Sequence, residues 1–112
     1  MNILVVGGGA REHAICHAVA RSENATVFSV MNNLNPGIEK LVTDYLLQKE
    51  TAITEVVSYA KKNNIDIALI GPEAPLEAGL ADELIKNGIQ TCAPKKNAAR
   101  IETDKEWMRL LL

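Results

Sequence analysis

Cysteine, aromatic residues, long apolar runs and excess charge are all scarce in this sequence of 112 residues. Its two cysteines, Cys16 and Cys92, lack Cys-x-x-Cys or zinc-type spacing, and secreted domains of this size often carry more. A formal charge of -2 without a basic block argues against nucleic acid or anionic membrane as partners. No apolar run approaches a membrane span, and no positive segment marks a signal peptide. We therefore expect a cytoplasmic, small-molecule-binding protein with reduced thiols, no nucleic acid partner and no membrane segment.

Apolar runs of strand length alternate with segments of helical spacing along the whole chain. We predict strands at residues 3–6, 26–30, 65–70 and 89–93, each short and close to turn residues. Because 47% of the residues are hydrophobic, the chain can bury one core, and its length suits a single domain. This alternation predicts an α/β fold, a Rossmann-like open parallel sheet with helices on both faces.

Three helices are predicted from apolar residues at helical spacing. The first begins near Arg11, the second has Thr51 as a possible N-cap, and the third ends at Gly88. Their expected apolar positions are Ala14, Ile15, Ala18 and Val19; then Ile53, Val56, Val57 and Ala60; then Leu80, Leu84 and Ile85. Residues 31–37 read as a loop, and residues 38–48 show no clear pattern.

The glycine turn at residues 7–9 follows the first strand and opens the first helix, which suits a phosphate-bearing ligand. Glycines let the backbone approach the ligand, the free amides of the helix point at negative charge, and Arg11 adds a cation. Dinucleotide binding requires Gly-x-Gly-x-x-Gly, but Glu12 occupies the third glycine position and no carboxylate follows the second strand. The P-loop pattern is also missing, and a tight structural turn remains the alternative.

Gly71-Pro72-Glu73-Ala74-Pro75 follows another buried strand, so Glu73 is expected in the same crevice, where it can accept hydrogen bonds from sugar hydroxyls or an amine. The alternative is a carboxylate placed for the dipole of the next helix. His13, Cys16 and His17 lie within one helical turn and raise the possibility of a metal site, but nothing supplies the remaining ligands at a convincing spacing.

The C-terminal residues predict a helix that begins at a capping box, Thr103-Asp104-Lys105-Glu106. The helix has only about two turns before the sequence stops. Its apolar residues are Trp107, Met108 and Leu110–Leu112. Either these residues pack back onto the sheet, or the chain is the front part of a longer protein.

Taken together, residues 3–14, Gly71-Pro72-Glu73-Ala74-Pro75-Leu76 with Gly79, and residues 93–99 resemble the phosphoribosylamine–glycine ligase family. The combination of Gly-Gly-Gly-x-Arg-Glu-His with Gly-Pro-Glu-x-Pro-Leu is more specific than either motif alone. The resemblance implies a pre-ATP-grasp substrate domain at residues 1–102, with residues 103–112 starting a connecting helix. It also implies that this chain lacks the ATP-grasp and C-terminal domains.

By resemblance, the phosphoribosylamine site involves residues from three loops. They are Gly8, Gly9, Arg11, Glu12, Asn35, Gly37, Glu73 and Pro75. The loop containing Asn35 and Gly37 differs from the Gly-Asn-Ala-Gly sequence of the family.

The family activity implied is amide formation between glycine and 5-phosphoribosylamine through glycyl phosphate, in purine biosynthesis. ATP and Mg or Mn are implied for the full-length enzyme, whereas no cofactor, metal or catalytic residue is expected in this chain, which we expect to be inactive alone. Alternatives are the N-terminal domain of another ATP-grasp ligase, a non-catalytic phosphate- or nucleotide-binding module, and a dehydrogenase domain.

Overall fold

The computed structural model describes residues 1–22, 24–72, 74–75 and 78–92. In these ranges five strands are present: β1 (Asn2–Val6), β2 (Thr26–Met31), β3 (Asp44–Leu47), β4 (Ile67–Ile70) and β5 (Gln90–Cys92). The helices in this part of the chain are α1 (Ala10–Ala20), α2 (Pro36–Glu39), α3 (Ile53–Lys62) and α4 (Leu80–Lys86).

The five strands form one parallel sheet in the order β3-β2-β1-β4-β5. The chain moves outward from β1 to β3 and then returns to place β4 on the other side of β1. Leu4 of β1, for example, pairs with Phe28 of β2 and with Ala68 of β4. The order of the strands therefore reverses beside β1, and crevices at such positions bind ligands in open α/β sheets.

The alternation of side chains along the strands separates the core into two apolar clusters, one on each face of the sheet. Leu4 and Val6 belong to one cluster, whereas Ile3 and Val5 belong to the other. The first cluster includes residues of α3 and α4, and the second includes residues of α1 and α2. Because both faces are covered, the strands read as continuous apolar runs, and the predicted α/β class is confirmed.

Helix α1 is present, and its predicted apolar face is confirmed only in part, because Val19 is buried and Ile15 packs against the same cluster. Glu12, Cys16 and Val19 are buried, while Ala14 and Ala18 are exposed. The buried residues have helical spacing, but a carboxylate begins the series, so a search for apolar residues alone selects a neighbouring stripe.

Two further details of the predicted helices were wrong. Helix α3 has Ala52 rather than Thr51 at its N-cap, with no side-chain cap. On α4, Leu80 and Leu84 are fully buried as expected, but Ile85 is 56% exposed. Because successive helical residues point about 100° apart, Ile85 turns away from the sheet once Leu80 and Leu84 face it.

Short elements were missed in the two least patterned segments. Asn35 begins α2 inside the predicted loop, and β3 lies in the segment without a clear pattern. Strand β3 is at the edge of the described sheet and alternates little, because its end residues, Asp44 and Leu47, are both exposed.

The predicted capping box at 103–106, the apolar residues 107–112, the boundary at residue 102 and the end of the last strand at Ala93 lie outside the described residues. Within the described ranges, no helix is long and apolar enough to cross a membrane.

Ser29 provides a test of the core. It is fully buried between Val27 and Met31 on β2, and its Oγ has no hydrogen-bond partner in the described part of the chain. A buried hydroxyl without a partner destabilises the fold, so Ser29→Ala should leave the free energy of unfolding unchanged or raise it by up to about 1 kcal/mol. Urea denaturation measures this change.

The matched control is Val27→Ala on the same strand and face, which should lower the free energy of unfolding by about 2 kcal/mol by leaving a cavity. A loss of stability in Ser29→Ala as large as that of Val27→Ala would contradict the prediction.

Candidate functional site

Three loops meet where β1, β2 and β4 end. The glycine turn follows β1, residues 32–35 connect β2 to α2, and Gly71 follows β4. Because all three strands are parallel, their carboxyl ends lie at the same edge of the sheet. The described residues at this edge form the candidate site.

The peptide group between Gly8 and Gly9 is held on both sides. Asn35 Nδ2 donates to Gly8 O at 2.9 Å, and Gly9 N donates to Glu12 Oε1 at 3.0 Å. Since both polar atoms of this peptide are bound to side chains, its orientation is fixed. Gly8 also lies so close to the chain after β2 that a Cβ there would be 2.9 Å from Met31 Cβ.

The Glu12 carboxylate is packed between two glycines at the strand-order reversal. An added Cβ at Gly7 would lie 2.6 Å from Glu12 Oε1, and one at Gly71 would lie 2.7 Å from Glu12 Cδ. The residue is only 5% exposed. The cost of burying this carboxylate is offset by the hydrogen bond from the Gly9 amide, by Arg11 Nε at 3.4 Å from Oε2, and by the positive end of the α1 dipole.

Arg11 connects the first turn of α1 to the loop after β4. Its Nη2 donates to Gly71 O at 2.7 Å, and its side chain remains 53% exposed. A guanidinium carries more N–H donors than these contacts use. Arg11 can therefore hold the loop and still donate to an anion at the helix end.

Asn35 organises the loop after β2. Its Oδ1 accepts hydrogen bonds from Gly37 N at 2.9 Å and from Ile38 N at 3.3 Å, so the side chain caps α2 while its amide reaches Gly8. Ile38 is fully buried and fixes the helix to the core. The loop and the glycine turn are thus one connected unit.

The structure brings most of the predicted site residues together. The group at this edge comprises Gly8, Gly9, Arg11, Glu12, Asn35 and Gly37. Pro75 follows β4 and is buried, while Glu73 lies outside the described residues. Sequence reasoning missed the role of Gly71, whose carbonyl binds Arg11 and whose missing side chain makes room for Glu12. Its place directly after a buried strand was the available signal.

The side chains considered for a metal site have different surroundings. Cys16 is buried in the core, His17 is exposed, and His13 contacts Gly37. Nowhere among the described residues do three or more His, Cys, Asp or Glu side chains form a group that could hold a metal ion.

Cys16 should behave as an unreactive core thiol. Burial, and secondarily the charge of Glu12, raises the pKa of Cys16 from 9.0 to about 12. In a Cys92→Ser variant, a thiol reagent at about pH 8 should therefore leave Cys16 unmodified in the folded protein and modify it in concentrated urea.

The same shift has a consequence for stability. Above about pH 9 the unfolded state loses the Cys16 proton while the folded state keeps it, so the free energy of unfolding should fall as pH rises. Rapid modification of native Cys16 would contradict both expectations.

A double-mutant cycle tests the packing of Glu12 against Gly71. Gly71→Ala should lower the free energy of unfolding by about 2 kcal/mol or more because its Cβ would overlap the carboxylate. In a Glu12→Ala background, which is itself destabilised by the lost hydrogen bonds, the same change should cost clearly less. Urea denaturation of the four proteins measures the coupling.

Gly88→Ala is the control for this cycle. Gly88 has a φ of +81° and open space at its Cβ, so alanine there should cost about 1 kcal/mol through backbone strain alone. Removing Glu12 should not change that cost. If the cost of Gly71→Ala, like that of Gly88→Ala, is the same with and without the Glu12 side chain, the packing argument is wrong.

Comparison with known proteins supports the resemblance seen in the motifs. A family model described as "Phosphoribosylglycinamide synthetase, N domain" matches residues 1–102. A phosphoribosylamine–glycine ligase of Methanocella arvoryzae is 56% identical over 110 residues, covering 97% of this chain and 25% of that protein. The phosphoribosylamine–glycine ligase of Methanococcoides burtonii is 54% identical, with 97% of this chain and 26% of that protein covered. That of Pyrococcus abyssi is 50% identical, with 97% of this chain and 25% of that protein covered. The chain thus spans about a quarter of the length of the curated relatives it matches.

Among solved structures, glycinamide-RNase-transformylase T from Mycobacterium tuberculosis matches with a TM-score of 0.65 and 11% identity. The match covers 81% of this chain and 26% of that one, and at this identity it supports the fold alone. The family model, by contrast, spans all three loops of the site, including the glycine turn. The chain belongs to the phosphoribosylglycinamide synthetase N-domain family.

Proposed function

We propose that this chain supplies the phosphosugar-binding part of an ATP-dependent ligase that joins glycine to 5-phosphoribosylamine in purine biosynthesis. The observation that carries the proposal is the convergence of the glycine turn, Arg11 and the loop after β4 at one edge of the sheet. Family membership and relatives that are phosphoribosylamine–glycine ligases support the substrate.

The phosphate of the substrate would bind at the start of α1. The amides of the first helical turn have no partner within the helix, and they carry the positive end of its dipole. Arg11 lies in that turn and has donors left after its contacts with Gly71 and Glu12. A phosphate there would accept hydrogen bonds from backbone and guanidinium together.

The other proposed site residues divide into two roles. Glu73 and Pro75, which follow β4 in the sequence, are the residues proposed for the sugar and its amine. Gly8, Gly9, Glu12, Asn35 and Gly37 would shape the phosphate side, where their mutual hydrogen bonds fix the backbone. Binding at a prearranged site avoids the entropy of ordering these loops when the ligand arrives.

For the whole ligase, we propose that ATP converts the glycine carboxylate to an acyl phosphate with release of ADP. The amine of phosphoribosylamine then attacks the carbonyl carbon, loses a proton and displaces phosphate. ATP and Mg or Mn would be held by the rest of the ligase, because this chain spans only about a quarter of the length of its relatives. The role of this chain is to bind and orient the amine substrate, and the remaining ATP-grasp and C-terminal domains are its proposed partners.

Binding can be tested with ribose 5-phosphate, a stable compound that shares the phosphate and sugar. Titration followed by amide NMR should shift the signals of residues 9–12, and Arg11→Ala should weaken binding by about tenfold to a hundredfold by removing a charge-assisted contact. Arg21→Ala is the matched control, because Arg21 is exposed at the other end of α1. NAD, titrated in parallel, should not bind.

An unchanged affinity in Arg11→Ala, or shifts confined to a surface remote from the glycine turn, would overturn the proposed site. With ATP, magnesium, glycine and phosphoribosylamine, the 112-residue chain alone should form no amide. Measurable amide formation would contradict the assignment of ATP chemistry to residues outside the chain.

A further inference from the structure

His13 is the one residue of the Arg11-Glu12-His13 series to which the proposed function gives no role. Arg11 and Glu12 contact the loop after β4, on one side of α1. His13 is half-buried and contacts Gly37 at the start of α2, on the other side. Its contact therefore lies in the first turn of the helix that Asn35 caps.

The fit between His13 and Gly37 is close. An ideal Cβ at position 37 would lie 2.6 Å from His13 Nε2 and 3.0 Å from Nδ1, distances at which a side chain and the ring exclude each other. Gly37 has no positive φ, so backbone strain does not explain the need for glycine. The space above Gly37 is occupied by the imidazole instead.

A short series of contacts connects this fit to the glycine turn. Gly37 N donates to Asn35 Oδ1 at 2.9 Å, and Asn35 Nδ2 donates to Gly8 O at 2.9 Å. Gly8 O belongs to the peptide whose N–H binds Glu12. Displacing Gly37 would thus move the cap, the Asn35 amide and one side of the turn.

The helix itself has an independent anchor. Ile38 is fully buried in the cluster beneath α1, so α2 stays on the core without help from His13. What the imidazole adds is the fine position of residues 35–37. Loss of the ring should consequently alter the site more than the fold.

We propose that His13 is a positioning residue for the phosphosugar site, acting through Gly37 and Asn35 on the Gly8–Gly9 peptide. This inference rests on the proposed function for its ligand but not for its structural effect. A planar ring with few rotatable bonds fills the space left by a glycine and holds it with little loss of conformational entropy.

The test compares His13→Ala and His13→Gln with His17→Ala, which removes the same side chain from an exposed position of α1. In the His13 variants, NMR should show shifted side-chain amide signals of Asn35 and faster hydrogen exchange at Gly37 N. Affinity for ribose 5-phosphate should fall by about tenfold in His13→Ala, with urea denaturation showing a folded protein. His17→Ala should match the wild type in all three measurements.

Gly37→Ala, made with and without the His13 ring, distinguishes the positioning role from a general loss of stability. Gly37→Ala in the wild-type background should disturb the Asn35 signals through overlap with the ring, whereas in His13→Ala the added methyl has room and should restore part of the affinity. Such rescue would not follow from a general loss of stability.

The outcomes distinguish failure of the positioning role from failure of the proposed function. Unchanged Asn35 signals and Gly37 exchange in both His13 variants would overturn the positioning role, whatever the ligand does. Altered Asn35 signals with unchanged affinity would also overturn it. If wild-type protein fails to bind ribose 5-phosphate while the Asn35 effects occur, the proposed function fails and the contact pathway from His13 to Asn35 is retained.

Discussion

The site depends on one buried carboxylate at the point where the strand order reverses. Glu12 fills the space left by Gly7 and Gly71, and its oxygens bind the Gly9 amide and the Arg11 side chain. A carboxylate in this position is costly unless its hydrogen bonds are made, so the backbone around it must keep one arrangement. The ends of β1 and β4 are thereby fixed relative to α1, which is the geometry that a ligand at this crevice requires.

Three consecutive residues in the first turn of α1 each contact a different part of the site. Arg11 contacts the carbonyl after β4, Glu12 packs between the strand ends, and His13 contacts Gly37 at the start of α2. Successive residues of a helix point about 100° apart, so three in a row can contact neighbours on different sides. Asn35 then joins the loop after β2 to the glycine turn. Sequence neighbours at this helix start therefore control loops that are distant from one another along the chain.

The sequence predicted four of the five described strands and the parallel class because each rests on a local signal. Ile3 to Val6 ends in glycines, and buried strands with such ends imply a crevice. Val19 was expected on the buried face of α1, but Glu12 escaped prediction because a charged residue is expected outside unless its partners are known. Helix α2 and strand β3 escaped because both are four residues long and depend on tertiary contacts such as Asn35 with Gly8. The spatial pairings of Gly71 with Glu12 and of Gly37 with His13 have no signature in a single sequence.

The placement of charge at the helix start is compatible with the proposed anion site beside a carboxylate. Glu12 opposes a phosphate at the same helix end, and its charge equals that of Arg11 in magnitude. The two side chains differ in orientation, however: Glu12 is buried with its oxygens occupied, whereas Arg11 is about half exposed with donors remaining. Water screens charges at the surface, but donors in direct contact with a phosphate act at short range. The direction in which these groups point, rather than their net charge, is what the proposed phosphate site at this end of α1 depends on.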